Sequence, residues 1–160
     1  MSNQSPSLSH PTIRIASTAD AAAVRAIVDA AYRSYIPRIG KPPGPMLDDY
    51  AKRIADFRVW VLDSASEIVG ILVLEDTPGS LLLDNIAVAP DQQGQGHGRT
   101  LLDFAEAEAT RRGCNEIHLY TNALMTENIA IYQRAGYVET SRVTEQGFDR
   151  VYMKKRLALP

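Results

Sequence analysis

The sequence has a single cysteine, Cys114, and no hydrophobic run approaching the roughly 18 residues that cross a bilayer. One cysteine excludes an internal disulfide and a zinc site built from cysteines. Neither charge dominates, since 17 Lys and Arg against 19 Asp and Glu give a formal net charge of −2, which disfavours a generic nucleic-acid-binding surface. Met1–Pro11 lacks the basic start and apolar centre of a secretory signal. We therefore expect a cytoplasmic protein that binds neither nucleic acid nor membrane.

The 160 residues suffice for one domain with its own core, since domains average about 100–200 residues. Residues 1–11 are rich in Ser, Asn, Gln and Pro and are predicted to form a flexible N-terminal tail. Residues 12–160 contain no internal repeat and no dividing linker, so they are predicted to form a single domain. A homodimer is compatible with these features.

Hydrophobic periodicity predicts the element order β-α-α-β-β-β-α-β-α-β-β. The second helix is expected to carry four residues with apolar surface on one face: Leu47, Tyr50, Ala51 and Ile54. The unit from Leu81 to Thr121 is a strand, a loop, a helix and a strand, so it should be a right-handed crossover with parallel strands. We predict an α/β fold with a mixed, mostly antiparallel sheet, a central parallel strand pair and flanking helices.

A glycine-rich loop precedes the long helix of that crossover. Gly94, Gly96 and Gly98 alternate with other residues, which allows a tight turn and directs successive amides toward the positive end of the helix dipole. Arg99 could add a positive charge for a bound anion. The spacing fits neither the dinucleotide-binding G-x-G-x-x-G pattern nor a P-loop. From the glycines alone, a phosphate site and an ordinary flexible loop are equally well supported.

Two segments resemble the signatures of the GNAT (Gcn5-related) N-acetyltransferases. The first, Asn85–Leu102, matches the acyl-CoA pattern Q/R-x-x-G-x-G/A at three positions: Gln93, Gly96 and Gly98. The second, Asn128–Tyr137, carries a tyrosine, Tyr132, four residues before a Gly-aromatic pair. The element order agrees as well. The resemblance implies a GNAT-like fold and an acetyl-CoA-dependent N-acetyltransferase that transfers an acetyl group directly to a primary amine of a small molecule or peptide.

The resemblance also implies which residues bind acetyl-CoA. The backbone of Ile86 and Val88 would pair with the pantetheine arm, and the Val88 amide would polarise the thioester carbonyl. The amides of the glycine loop would hold the pyrophosphate. The full set of expected cofactor-binding residues is Ile86, Ala87, Val88, Gln93, Gly94, Gln95, Gly96, His97, Gly98, Arg99 and Asn128. The chain departs from the family at two positions, since Met125 replaces a frequent Asn and His97 replaces a usual aliphatic residue.

By the same resemblance, Tyr132 is the acid that protonates the departing thiolate, a step worth about 10²–10⁴ in rate. Related N-terminal acetyltransferases carry a glutamate base where this chain has Tyr120, so that base is absent. We expect Asp84 to act as base through a water, with Glu75 as the alternative, although each is also compatible with an ordinary polar residue at a strand margin. No His or carboxylate spacing indicates a metal site, so no metal is expected.

The acceptor is expected to lie against the proline-rich segment that follows the first helix, with Tyr35 and Met46 as substrate-binding residues. This segment contains four prolines together with aromatic, thioether and cationic side chains, a mixture typical of a small-molecule pocket. A plain connecting loop is the alternative. Two other functions remain open: a non-catalytic acyl-CoA-binding or sensing module, and a protein N-terminal acetyltransferase.

Overall fold

A computed structural model describes residues 10–158 of the chain. The predicted tail, residues 1–11, falls almost wholly outside the described residues. The strands are β1 Thr12–Ile15, β2 Val59–Ser64, β3 Glu67–Thr77, β4 Ser80–Val88, β5 Glu116–Asn122, β6 Val138–Glu145 and β7 Phe148–Arg156. The helices are α1 Ala21–Tyr32, α2 Ile36–Ile39, α3 Tyr50–Ala55, α4 His97–Arg111 and α5 Thr126–Arg134.

The strands form one sheet in the order β1-β2-β3-β4-β5-β7-β6. Every neighbouring pair is antiparallel except β4 and β5, which are parallel and are linked by α4. The predicted α/β class, with a mixed sheet and one central parallel pair, is therefore confirmed.

The parallel pair is short. Only Leu81–Leu83 of β4 pair with Ile117–Leu119 of β5, although both strands continue beyond these residues. Since their later residues have no ladder between them, the two strands separate and leave a gap in the middle of the sheet.

A β-bulge lies where the gap begins. Val73 of β3 pairs with Asn85, whereas Leu74 pairs with Leu83, so Asp84 is an extra residue in β4. A bulge reverses the alternation of side chains and bends its strand. Leu83 before the bulge and Ile86 after it consequently pack on the same face of the sheet.

Each face of the sheet is covered by helices. On one face, α4 and α5 pack through Leu101, Leu102 and Ile129, among others. On the other face, the α1 stripe of Val24, Ile27, Val28 and Tyr32 packs together with α3, as the helical spacing predicts. The two layers fix α1 and α5 at the rims of the central gap.

The predicted start of the second helix was wrong. The helix begins at Tyr50, because the Asp49 side chain accepts a hydrogen bond from the Lys52 amide at 3.1 Å and caps it there. Leu47 lies before this cap in a 3₁₀ turn and is 65% exposed, so it does not join the helix's buried face. No helix within residues 10–158 combines the length and the apolar character needed to cross a membrane.

Candidate active site

Two cavities open into the gap between β4 and β5. The larger, about 670 Å³, is lined by the glycine loop, β4, and residues at the rims in α1 and α5; we call it the loop cavity. The smaller, about 310 Å³, is lined by β4, β5, β7 and the segment before α3; we call it the sheet cavity. Four residues line both: Tyr32, Ile86, Asn128 and Tyr132. Two ligands entering from the two sides would therefore meet at these residues.

The glycine loop presents free hydrogen-bond donors to the loop cavity. Gly96 is the residue before α4, has a left-handed φ of 85°, and provides no side-chain cap. Within the described residues, the amides of residues 94–99 donate no hydrogen bond to protein. A Cβ at Gly94, Gly96 or Gly98 would meet no atom within 4 Å, so the space beside the loop is open. Free amides at the positive end of a 15-residue helix fit a phosphate group well.

The β4 main chain also faces the gap. The Ala89 amide donates to the Val69 carbonyl of β3 at 2.8 Å. Because backbone groups alternate along a strand, the amides and carbonyls of Ile86 and Val88 are directed away from β3, toward the gap. Their carbonyls accept hydrogen bonds from the Tyr32 hydroxyl at 3.2 Å and the Gln93 side-chain amide at 3.2 Å. Their amides are oriented to pair with an extended ligand, as the resemblance implies.

Most of the predicted cofactor-binding residues share the loop cavity. Its lining includes Ile86, Ala87, Val88, Gln93, Gly94, Gly96, His97, Gly98, Arg99 and Asn128, but not Gln95. The His97 side chain is buried, and its Nε2 has no hydrogen-bond partner among the described residues. The Arg99 side chain pairs with Asp103 at 3.0 Å on the exposed surface of α4.

Tyr132 lies between the two cavities. Its side chain is only 8% exposed, and its ring packs edge-on against Tyr137 with a centroid separation of 5.9 Å. Its hydroxyl forms no hydrogen bond within residues 10–158. Burial raises the Tyr132 pKa well above its ordinary value, so the phenol keeps its proton at neutral pH. This environment suits a proton donor.

Asp84 lines the sheet cavity at the bulge. Burial raises the pKa of its carboxyl above the ordinary value, while the nearby Arg53 charge opposes this shift. The Tyr120 hydroxyl donates to Asp84 Oδ1 at 3.2 Å and also favours the ionised form. A carboxylate with a raised pKa, held at the edge of a cavity, is suited to accept a proton.

Glu75, the alternative base, does not line either cavity within the described residues. Its carboxylate is engaged by two guanidinium groups, Arg53 and, at 2.8 Å, Arg58. Both of its oxygens are occupied by these ion pairs, so the geometry favours Asp84 over Glu75.

The structure does not bring the two predicted acceptor-binding residues together. Tyr35 lines the loop cavity, where the Arg38 guanidinium stacks over its ring at 5.1 Å. Met46 lines neither cavity and packs with the α1 and α3 core. The 3₁₀ turn over Gly44–Leu47 turns Met46 inward, and Gly44, Pro45 and Leu47 border the sheet cavity instead.

The sequence analysis missed the contribution of β7 to the sheet cavity. Phe148 and Arg150 line it together with Tyr120 of β5, which the sequence analysis named only as the residue that replaces a glutamate base. A signal was present in the alternation of β7. Val151 and Met153 are suited to the buried face of the strand, so Phe148 and Arg150 must lie on the opposite face. Among the described residues, no three His, Cys, Asp or Glu side chains are grouped so that they could hold a metal ion.

Comparison with known proteins identifies the same region. Residues 55–139 match the family described as "Acetyltransferase (GNAT) domain". The uncharacterized N-acetyltransferase YvbK of Bacillus subtilis is 28% identical over 100 residues, which are 62% of this chain and 63% of that relative. The chain spans smaller shares of the other curated relatives it matches.

Solved structures share the whole architecture. The ribosomal-protein-S18-alanine N-acetyltransferase of Escherichia coli superimposes with a TM-score of 0.74 over 94% of this chain and 96% of its own, at 24% identity. The PaiA N-acetyltransferase of Thermoplasma acidophilum, solved in complex with coenzyme A, gives a TM-score of 0.73 over 92% and 99%, at 16% identity. At these identities the likeness establishes the fold.

Proposed function

This chain belongs to the GNAT acetyltransferase family, and we propose that it is an acetyl-CoA-dependent enzyme that transfers an acetyl group directly to a primary amine. The observation that carries this proposal is the meeting of two cavities in the gap of the sheet, at Ile86, Asn128 and Tyr132. One cavity offers free loop amides to an anionic cofactor, and the other offers a carboxylate to an amine. Such an arrangement favours direct transfer between two bound substrates.

In this proposal the loop cavity binds acetyl-CoA. The amides of residues 94–99 donate to the pyrophosphate, and the positive end of α4 stabilises its charge. The amides of Ile86 and Val88 donate to the pantetheine arm, which extends the half-sheet β1–β4 by hydrogen bonding as an added strand would. The bound cofactor supplies an activated thioester at the junction of the cavities.

Tyr132 at the junction and Asp84 in the sheet cavity then transfer the protons. Asp84 accepts a proton from the acceptor's ammonium group, through a water, so that a neutral nitrogen attacks the thioester carbon. The Val88 amide donates to the carbonyl oxygen, where negative charge develops. As the carbon–sulfur bond breaks, Tyr132 donates its proton to the departing sulfur. The nitrogen loses its second proton to solvent water and Tyr132 regains a proton from solvent, so the amide and the CoA thiol are released with the enzyme restored. An amine with a pKa near 10.4 is neutral in only about one molecule in 10³ at pH 7, which is why a base accelerates the reaction.

The relatives support an amine acceptor without identifying it. One structural neighbour acts, by its name, on an alanine of ribosomal protein S18 and another is named an N-acetyltransferase. Tyr132 and Asp84 favour an enzyme over a non-catalytic acyl-CoA-binding module, because a binding module has no need of a proton donor and acceptor at the junction of two cavities.

The test is a panel of amines and peptides with acetyl-CoA, in which release of the CoA thiol is followed and the acetylated product is identified by mass spectrometry. We expect thiol release that depends on an amine, above the rate of thioester hydrolysis measured without acceptor. Calorimetry should show CoA binding with or without an acceptor. Binding without any amine-dependent release would support the non-catalytic module, and absence of CoA binding would refute the assignment altogether.

A further inference from the structure

The charges that line the sheet cavity do not all remain available to a ligand. Two carboxylates, Asp48 and Asp84, and two guanidinium groups, Arg53 and Arg150, border it. Arg53 pairs with Asp48 at 3.2 Å and with Glu75, and Glu75 also pairs with Arg58, so the four charges of this group balance. Among the described residues Asp84 forms no salt bridge, and Arg150 pairs through Nη1 alone with Glu145, which does not line the cavity. Asp84 and the remaining donors of Arg150 therefore face a bound molecule.

Arg150 retains unused donors. Its side chain is 15% exposed, and Nη1 donates to Glu145 Oε1 at 3.0 Å, its one hydrogen bond to another described residue. A guanidinium carries five N–H groups in a rigid fork, which matches the two oxygens of a carboxylate. The guanidinium carbon lies 4.6 Å from the centroid of the Tyr120 ring, which holds the fork against one wall of the cavity.

Tyr120 links the two opposite charges. Its hydroxyl donates to Asp84 at 3.2 Å, and its ring lies beneath the Arg150 guanidinium. Asp84 therefore lies at the hydroxyl end of this side chain and Arg150 over its ring face, and both line the same cavity of about 310 Å³. A ligand that satisfies both must carry an ammonium group and an anionic group only a few bonds apart.

Building on the proposed function, we propose that the acceptor is a free amino acid or a similarly small amine that carries a carboxylate. Its amino group lies toward Asp84 and the cavity junction, and its carboxylate is held by the free donors of Arg150. Part of the remaining wall, formed by Pro43, Pro45, Leu47 and Phe148, fits an apolar side chain. A peptide N-terminus has no carboxylate beside its amine, so it would leave the Arg150 donors unused.

The experiment compares free L-amino acids with their carboxamides, which keep the amine but lack the negative charge. Each pair is assayed with the wild-type enzyme, Arg150→Gln and Arg142→Gln. Arg142 is a matched control, because it is an arginine of the neighbouring strand β6, 58% exposed and paired with Glu139 outside both cavities. The measured quantity is the ratio of variant to wild-type kcat/KM for each acceptor, since the amine pKa of the acceptor cancels in that ratio.

We expect Arg150→Gln to lower kcat/KM about tenfold to a hundredfold for the amino acids, the effect of losing a hydrogen bond between charged groups. The same variant should change kcat/KM for the carboxamides less than about threefold, which also shows that it is folded. Arg142→Gln should leave both classes of acceptor unchanged. Equal losses for acids and amides, or no loss for acids, would overturn the proposal.

A second measurement requires no variant. Carboxylic acids that lack the amine should inhibit the wild-type enzyme competitively against the acceptor, and their carboxamides should not. If carboxamides or peptides are acetylated better than every free amino acid and the acids do not inhibit, the acceptor assignment fails while the acetyltransferase stands. If no amine of any kind is acetylated, the proposed function itself fails.

Discussion

Burial raises the pKa of both Tyr132 and Asp84, and the same shift suits them to opposite tasks. In Tyr132 it keeps a proton on the phenol until charge develops on a neighbouring atom. In Asp84 it makes the carboxylate a stronger proton acceptor than an exposed aspartate. In the proposed reaction, the environments of these two titratable groups would divide the acid and base roles between them.

Replacing Tyr132 with Phe should lower kcat by about 10²-fold or more, because only the donor for the departing sulfur is removed. Affinity for CoA should stay within a few-fold, since the Tyr132 hydroxyl forms no hydrogen bond within the described residues and the ring is kept. Steady-state kinetics and calorimetry give the two quantities.

Tyr137→Phe is the matched control for that substitution. Tyr137 packs against Tyr132, lines neither cavity, and has a buried hydroxyl without a partner among the described residues. Its replacement removes a comparable buried hydroxyl that does not lie at the junction of the cavities, so kcat should be unchanged. Full turnover in Tyr132→Phe would show that water or another group protonates the sulfur.

Asp84 predicts a specific pH dependence. Protonation of the acceptor amine already lowers kcat/KM as the pH drops. If Asp84 must be ionised to act as base, its protonation adds a second break, below which kcat/KM falls more steeply, at its raised pKa. Asp84→Asn should lower kcat/KM by about 10²–10⁴ and abolish that additional break in the profile. Tyr120→Phe should move the break to higher pH, because the lost Tyr120 hydrogen bond had favoured the ionised carboxylate. A break that is unchanged in both variants would assign it to another group.

Tyr132 and Asp84 could be predicted from the sequence because one lies in a motif and the other lies in a strand next to a motif. Arg150 could not be, since it is 66 residues from Asp84 and reaches the same cavity only through the register of β7 on β5. Tyr35 and Met46, both expected to bind the acceptor, face different surroundings for a related reason. Their side-chain directions depend on short turns whose geometry the hydrophobic pattern does not encode.

Among the elements, we expect the glycine loop and the first turn of α4 to act as one anion-binding unit. Gly96→Asp should abolish CoA binding, because a carboxylate would be placed beside the amides that receive the pyrophosphate. Gly96→Asn is the control, since Asn has the same shape without charge and tolerates the left-handed conformation at φ 85° about as well. We expect calorimetry to show measurable binding for Asn and none for Asp. Equal affinities would place the phosphates elsewhere.

The order and kind of the long elements were predictable, and the gap between β4 and β5 was not predictable from periodicity. Continuous apolar runs and helical stripes such as that of α1 identify what packs on the sheet. The extra residue Asp84 lies where the gap begins, but in the sequence it looks like one more position of an alternating strand. Only the family resemblance predicted that the backbone of Ile86 and Val88 pairs with a ligand rather than with a strand.

At the scale of the whole molecule, the sheet consists of two parts with a narrow connection. One part is β1–β4 and the other is β5, β7 and β6, and the ladder between them joins only three residue pairs. Helix α4 packs against strands on both sides of the connection and strengthens it. A ligand in the gap that bonds to β4 and touches α5 would therefore tie the two parts together.

Hydrogen exchange measured with and without CoA tests this coupling. We expect CoA to slow exchange at the amides of Ile86 and Val88 and at those of residues 94–99, because each gains a ligand acceptor in place of solvent. The amides of the β6–β7 hairpin, which does not line the loop cavity, should keep their rates and provide an internal control. The exchange rates are compared under conditions where exchange occurs by local opening rather than by global unfolding. Global stability should also rise, by about 2.7 kcal/mol at a CoA concentration 100 times Kd. Gly96→Asp should lose both effects together. Protection confined to the hairpin, or stabilisation without protection at Ile86 and Val88, would mean that CoA binds outside the gap and that the two parts of the sheet are not joined through it.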